Sequence, residues 1–371
     1  MDVQLRILFA LAGLHRVHRG AEVAFLAVAA ELAKTGHAVT LIGSGEPRAD
    51  DPYRFLHAGC TPRERFENYP KVPFLRGETS WEEATFLPGL LRQYRPSDYD
   101  VTLTCSFPFT NLALRRPVLG GKRPPHVFVT QNGDWPAIAG KSEFRAFGCE
   151  GLVCINPDYF ERNQENYRCS LIPNGVDLDR FTPGPGDRAR FGIPADRKIV
   201  LMVSALIGSK NVGAAIAAMR EVPDAMLVVA GDGPIRAEIH AAAEQSIPGR
   251  FLNFSVTADQ MPALYRSADA FLHLSRDESF GNVYVEALAS GLPVIAYDLP
   301  RTRWIVGDDA NFASPDDPAH LPVVIRAAIA GGPANGAANV ERAKRFAWSA
   351  IAAQYGDFLS EVVQAGTRRD A

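Results

Sequence analysis

Two glutamates in the run DESFGNVYVEALASGLPVIAYD, Glu278 and Glu286, bracket an apolar stretch with Gly281 between them. AFLHLS just before reads as a buried strand and RDESFG as the loop leaving its carboxyl end. NVYVEALAS is then a helix closed by Gly291, with Pro293 shortly beyond. This layout puts Glu278 and the backbone of Phe280, Gly281 and Asn282 at a helix N-terminus, where free N–H groups and the positive dipole end favour an anion. Gly281 lets a ligand approach the main chain, and the N–H groups of Asn282 and Val283 could hold a phosphate. Glu286, one turn further on, offers two acceptor oxygens to a ribose diol, and Glu278 could hold sugar hydroxyls in the same way. Donors for phosphates beside acceptors for hydroxyls describe a nucleotide diphosphate joined to a sugar. On these residues alone a plainer alternative stays open, with Glu278 merely favouring the dipole and Glu286 a solvated helix residue.

The elements that must position these groups follow from the whole chain. Its 371 residues exceed one ordinary core and point to two domains. With 47% hydrophobic and 22% charged residues the composition is globular, and a net charge of -3 gives no global basic field for nucleic acid. The five cysteines, Cys60, Cys105, Cys149, Cys154 and Cys169, show neither a disulfide framework nor zinc spacing, which fits a reducing, cytoplasmic setting. Asp2 stands where a secretory leader would be basic, so MDVQLRILFALAGLHRVHRG is read as a first buried strand. No apolar run reaches the ~18 residues of a membrane span.

Apolar runs alternate with amphipathic helical patterns in both halves, the pattern of parallel, doubly wound sheets. LRILFAL, HAVTLIG, DVTLTC, HVFVTQN, GLVCIN and CSLIPNG are the strands expected first. KIVLMVS, AMLVVAG, FLNFSV, AFLHLS, LPVIAYD and NFAS follow. Proline and glycine cluster in FTPGPGDRARFGIPADRK, which places the boundary near Asp177 to Asp187. Residues 338–363 read as helical with a break near Trp348. Two Rossmann-like domains facing across a deep cleft result, with ligands expected at the carboxyl ends of the strands.

ESFGNVYVEALASGLPVIA resembles the E-x7-E motif of retaining glycosyltransferases of the GT-B fold, in particular family 4. Further segments agree in order along nearly the entire chain. HRGAEVAFLAVAAELAKTGHAVTLIG resembles the family's first glycine loop and helix, IPNGVD its interdomain junction, VVAGDGP a strand and turn of its second domain, and RFAWSAIAAQYGDFL its closing helix. The resemblance implies that Glu286 binds ribose and that Glu278 contacts the donor sugar. Phe280, Gly281, Asn282 and Val283 would line sugar and phosphate through their backbone. Lys210, in MVSALIGSKNV, matches the family lysine that neutralises the diphosphate, whose negative charge grows as the glycosidic bond breaks. Gly20 would bring a second backbone close to the donor phosphate, with Glu22 a first-turn carboxylate complementing the dipole. Val256 and the 231–234 turn, Gly233 included, are candidate nucleobase contacts.

Three departures stand out. Ser204 and Ala205 occupy the place of a family arginine, and Asn132, beside Gln131, that of a histidine. A Gly-Gly-x-x-Glu loop becomes LPRTRW, whose Arg301 and Arg303 could supply the missing cation. Asn132 could hydrogen-bond a sugar hydroxyl or the acceptor but cannot shuttle a proton.

Other signals are set aside. Asp98-Tyr99-Asp100 precedes its strand and Asp177-Leu178-Asp179 lies in the junction, so neither is read as a metal site. His15 and His18 flank the glycine loop as acceptor-site groups or solvent contacts, and Cys149 and Cys154 as packed thiols. Residues 61–95 mix basic and aromatic residues with Glu64, Glu67, Glu78, Glu82 and Glu83, and read as a partly exposed lid near the acceptor.

The expected fold is thus α/β, GT-B, with residues 1–178 and 349–371 as the acceptor-side domain and 179–348 as the nucleotide-sugar domain. The expected activity is retaining transfer from a UDP- or GDP-linked sugar to a hydroxyl on a glycan or lipid-linked saccharide, with no metal and no nucleic-acid partner. Peripheral membrane contact would run through the first domain. A degenerate nucleotide-sugar binder and a sugar-nucleotide epimerase on the same fold are the alternatives.

Overall fold

The expected apolar runs fold as strands in a computed structural model that describes residues 4–119, 121–138, 142–331 and 336–368; Asp2 and residues 369–371 of the expected closing helix lie outside these. In the first half they are β1 (Arg6–Ala10), β2 (Ala38–Gly43), β3 (Arg54–His57), β4 (Val101–Thr104), β5 (His126–Val129), β6 (Gly151–Cys154) and β7 (Cys169–Leu171). In the second half they are β8 (Lys198–Val203), β9 (Ala225–Ala230), β10 (Phe251–Phe254), β11 (Ala270–His273), β12 (Val294–Tyr297) and β13 (Asn311–Ala313). Residues of β4, β5, β6, β9 and β11 are buried throughout, which is why these strands read as continuous apolar runs. β3 is absent from the expected set. It is an edge strand, RFLH, with exposed ends and a half-buried middle, so it needs no apolar run.

All the described strand pairs are parallel, in the orders β3-β2-β1-β4-β5-β6-β7 and β10-β9-β8-β11-β12-β13. In each sheet the chain winds outward from one inner strand and then returns to that strand's other side. The order therefore reverses between β1 and β4, and again between β8 and β11. Loops leaving the carboxyl ends of such a pair diverge and open a crevice for a ligand. The segments after β8 and β11, far apart in sequence, are thereby brought together.

The chain divides into two units. One runs to Asn174 and resumes at Trp348; the other holds Gly175–Ala347, against expected changeovers after residues 178 and 348. Near the second changeover the helix Gly336–Ala343 gives way to a tight turn at Lys344–Phe346, Ala347 is extended, and a new helix spans Trp348–Arg368. That last helix packs against the helix Gly20–Lys34 of the first unit and buries Ile351, Tyr355, Phe358, Leu359 and Val362. Within the second unit the Val176 N–H donates to the Phe346 carbonyl at 2.7 Å, and Val176 bridges Ala347 in parallel. The two ends of that unit lie side by side.

Candidate active site

The reversal between β8 and β11 brings Lys210 to Glu278. The Lys210 ammonium donates to Glu278 Oε1 and to Ser275 Oγ, the latter at 3.2 Å. His273, the last residue of β11, places Nε2 at 2.9 Å from the same Oε1. An ionised carboxylate only accepts, so Nε2 carries the proton in this contact. Burial pushes the Glu278 carboxyl up, but the hydrogen bonds and charges of His273 and Lys210 outweigh it and hold its pKa at about 2. Both donors converge on Oε1, and Oε2 takes no hydrogen bond from the described residues. An oxygen left over on a fixed carboxylate is an acceptor for a ligand hydroxyl.

Local packing explains the fixity. Phe280 is buried against Trp304 and Phe346, with ring centroids 6.3 and 5.8 Å away, so its backbone alone faces the crevice. Gly281 has φ +86°, and a Cβ there would lie 2.8 Å from the Tyr284 ring, which excludes other residues on both counts. The helix Asn282–Ala289 starts at this glycine with no side-chain cap. Tyr284 OH donates to the His273 carbonyl at 3.1 Å, and its ring meets the imidazole edge to face at 5.1 Å. On the β8 side, Lys210 ends the turn Gly208–Lys210, and Asn211 Nδ2 donates to the Leu274 carbonyl at 2.8 Å. The lysine loop is thus latched to the end of β11.

Glu286 accepts from Tyr265 OH at 2.8 Å and is held above the usual carboxylate range by burial, with the Tyr265 hydroxyl opposing. This removes the reading of Glu286 as a solvated helix residue. Sequence reasoning missed His273, Ser275 and Tyr265. The first had a signal: a histidine closing an apolar strand just before the loop that carries Glu278.

The glycines of the 231–234 turn have a structural duty. The Leu206 N–H donates to the Asp232 carbonyl at 2.9 Å, so the loop after β8 lies flat against the one after β9. A Cβ on Gly231, which has φ +149°, would overlap the Ser204 carbonyl, and one on Gly233 the Leu206 carbonyl. Gly231→Ala should therefore destabilise the second unit by about 2–3 kcal/mol. An unchanged urea midpoint would show that the loops can separate at no cost. Val256, partly buried, follows β10 in a segment joined to this turn, since the Gly231 N–H donates to the Phe254 carbonyl at 2.9 Å.

LPRTRW is not a loop. Pro300–Val306 is a helix whose start is capped by Thr302. Arg303 is committed to Asp298 and Asp308, at 2.6 and 3.3 Å, which corrects its reading as a spare cation. Arg301 Nη2 donates to the Arg276 carbonyl at 2.6 Å and so braces the segment that carries Glu278.

Gly20 and Asn132 belong to the first unit. Gly20 is exposed and opens the helix Gly20–Lys34 after β1. Glu22 does sit in its first turn, but it is buried against Gly13, with Arg19 at 3.9 Å and burial raising its pKa. Asn132, exposed at the end of a turn after β5, makes a long contact to Cys105 Sγ at 3.5 Å, while Gln131 pairs reciprocally with Asn174. Of the aspartates set aside, Asp100 pairs with Arg6 at 2.7 Å, and Asp177 caps the N–H groups of Asp179 and Arg180 at 3.1 Å. The His15 side chain is buried, stacked on Phe55 at 4.0 Å with Nε2 3.0 Å from Tyr53 OH, which corrects both earlier readings of it.

The family profile described as "Glycosyl transferases group 1" matches residues 185–345, and that described as "Glycosyltransferase Family 4" matches residues 18–180. The chain belongs to the family 4 glycosyltransferases. The chain is 34% identical over 224 residues to D-inositol 3-phosphate glycosyltransferase of Xylanimonas cellulosilytica, covering 55% of the chain and 53% of that protein. It is 34% identical over 142 residues to the GDP-mannose-dependent alpha-(1-6)-phosphatidylinositol monomannoside mannosyltransferase of Mycolicibacterium smegmatis, covering 34% of the chain and 37% of that protein. The chain thus spans about half the length of the curated relatives it matches, or less. Sucrose-phosphate synthase from Thermosynechococcus elongatus superposes with a TM-score of 0.74 at 19% identity, covering 97% of this chain and 99% of that one. HepE from Anabaena, solved in complex with UDP and glucose, gives 0.72 at 18% identity, covering 96% and 100%. The chain has the GT-B fold. No helix among the described residues is long and apolar enough to cross a membrane.

Proposed function

We propose that this protein is a retaining glycosyltransferase that moves a sugar from a UDP- or GDP-linked donor to a hydroxyl on a glycan or lipid-linked saccharide. The observation that carries the reading is the cluster at the β8/β11 reversal: a lysine and a histidine hold one oxygen of Glu278, beside an uncapped helix start. Lys210 and the backbone at 281–283 receive the diphosphate, Glu278 Oε2 accepts from the sugar, and Glu286, held by Tyr265, accepts from the ribose. Family membership favours transfer over a degenerate binder or an epimerase.

In the reaction the bond from the anomeric carbon to the diphosphate breaks through an oxocarbenium-like transition state. The acceptor oxygen attacks the face that the leaving group vacates, and its proton passes to the departing phosphate. Lys210 meets the charge growing on that phosphate. No metal ion is required in this scheme, and one aspartate of each Asp-x-Asp pair, Asp100 and Asp177, is engaged elsewhere. The acceptor binds through the first unit, at the membrane surface where it is lipid-linked, and the protein works in the cytoplasm.

Thermal unfolding against UDP, GDP and their sugar conjugates, in a chelator, tests the donor site. A nucleotide at about 100 times its dissociation constant should stabilise the protein by about 2.7 kcal/mol. Glu286→Ala should abolish most of that shift. No shift with any nucleotide at millimolar concentration would end the transferase reading, and a shift that survives in the variant would remove Glu286 from the site.

A further inference from the structure

A second group of charges lies in the first unit, remote in sequence from the donor residues. Arg63 opens the turn Arg63–Phe66, and its backbone N–H donates to Glu82 Oε1 at 3.1 Å. Its side chain is half-buried and makes no hydrogen bond or ion pair with the described residues, and its Nε is wholly buried. Every neighbouring carboxylate is engaged by another arginine. Glu82 is held by Arg16 and lies 3.6 Å from Arg19; Glu64 accepts from Arg19 at 2.9 Å; Glu22 is buried, with Arg19 at 3.9 Å. Burial, with the Arg19 charge alongside, pulls the Arg63 guanidinium below its usual range.

A second unsatisfied donor stands close by. Trp81, the residue before Glu82, has its indole N–H buried without an acceptor. Its ring stacks on Phe66 at 5.9 Å, and the half-exposed Tyr69 meets it edge to face at 5.3 Å. Buried donors without acceptors are costly, and a guanidinium fork matches the oxygens of a phosphate or carboxylate bidentately.

We propose that Arg63, with Arg19 beside it, is the oxyanion-recognising element of the acceptor site, and that the acceptor carries a phosphate or carboxylate against the Tyr69 and Trp81 rings. The proposal rests on the transferase reading and names the class of its acceptor. The same oxyanion could be borne on a soluble sugar or on a lipid headgroup.

The test uses the full chain with its donor site filled by saturating UDP or GDP, whichever it binds, so that added phosphate cannot report from Lys210. Inorganic phosphate is titrated calorimetrically into wild type, Arg63→Met and Arg63→Lys. Sedimentation with phosphatidylcholine vesicles, with and without phosphatidic acid, is run in parallel. The methionine variant should weaken oxyanion binding about tenfold or more, as loss of a charged hydrogen bond does, and lysine should restore part of it. Nucleotide binding should be unchanged. Dependence on Arg63 for free phosphate identifies a soluble anionic acceptor, and dependence only for phosphatidic acid identifies a headgroup. Oxyanion binding that is absent, or indifferent to Arg63→Met, in protein that still binds nucleotide would overturn the proposal. Failure of wild type to bind nucleotide would instead strike the transferase reading.

Discussion

Turnover should fall by about 10²–10³-fold when Lys210 is replaced by methionine, the loss typical of removing one group aimed at charge that develops in the transition state. Methionine keeps an unbranched stem, so the turn Gly208–Lys210 and the latch from Asn211 to the Leu274 carbonyl should survive. Glu278 would keep the His273 donor on Oε1 at 2.9 Å, so its carboxyl should remain ionised at neutral pH and its free oxygen should still accept from the sugar. What disappears is the cation proposed to meet the departing diphosphate. The loss should therefore fall mainly on kcat, with a smaller rise in KM for the donor. Steady-state rates on wild type and variant decide the matter. A variant within about tenfold of wild type would show that another group, Arg301 first, carries the leaving-group charge.

The second large effect concerns stability. Glu83, fully buried on the helix Glu78–Gln93, accepts the Thr110 N–H at 3.1 Å, and its Oε1 has no partner. Burial pushes its carboxyl up to about 7, with the Thr110 hydrogen bond opposing. The unfolded chain releases that proton near pH 4.3, so between about pH 4.3 and 7 the native state holds a proton that the unfolded state has lost. Stability from this group is full below that window and declines as pH rises through it. At pH 8 the loss should approach about 4 kcal/mol. Glu83→Gln keeps an oxygen for Thr110 and carries no charge, so the variant should gain on wild type as pH rises from 5 to 8. Glu22 and Glu286 are also raised by burial, but both proteins share them, so the difference in urea midpoints isolates Glu83. Equal midpoints at both pH values would mean that water or a neighbouring donor already stabilises the ionised form.

Both predictions turn on residues that were unequally visible in the sequence. Glu278 and Gly281 could be read because chemistry restricts those positions, a carboxylate in the loop leaving a strand and a glycine at φ +86°, whereas Lys210 was reached only through the family resemblance. The buried strands were plain because they are apolar on both faces, whereas β3, half-exposed at an edge, leaves no pattern. Tyr265 escaped because its partner Glu286 lies 21 residues on, and His273, though only 5 residues from Glu278, because it sits inside an apolar strand. Pro300–Val306 read as a loop because it stands in place of a loop in the resembled family, although its proline suits the first turn of a helix. Glu83 read as one of several acids in a partly exposed lid, since nothing local marks a carboxyl that tertiary packing will bury.

The helix Trp348–Arg368 has a consequence for how the protein comes into being. It completes a unit whose other residues end at Asn174, and its Tyr355, Phe358 and Leu359 belong to that unit's core. On the ribosome the second unit, Gly175–Ala347, has all its residues in hand before that helix emerges, and its two ends already meet at Val176 and Ala347. The half of the chain made first must therefore wait, one face of its Gly20–Lys34 helix still wet, until the half made second has had time to fold. Nascent-chain quality control would encounter an early-born domain that matures last.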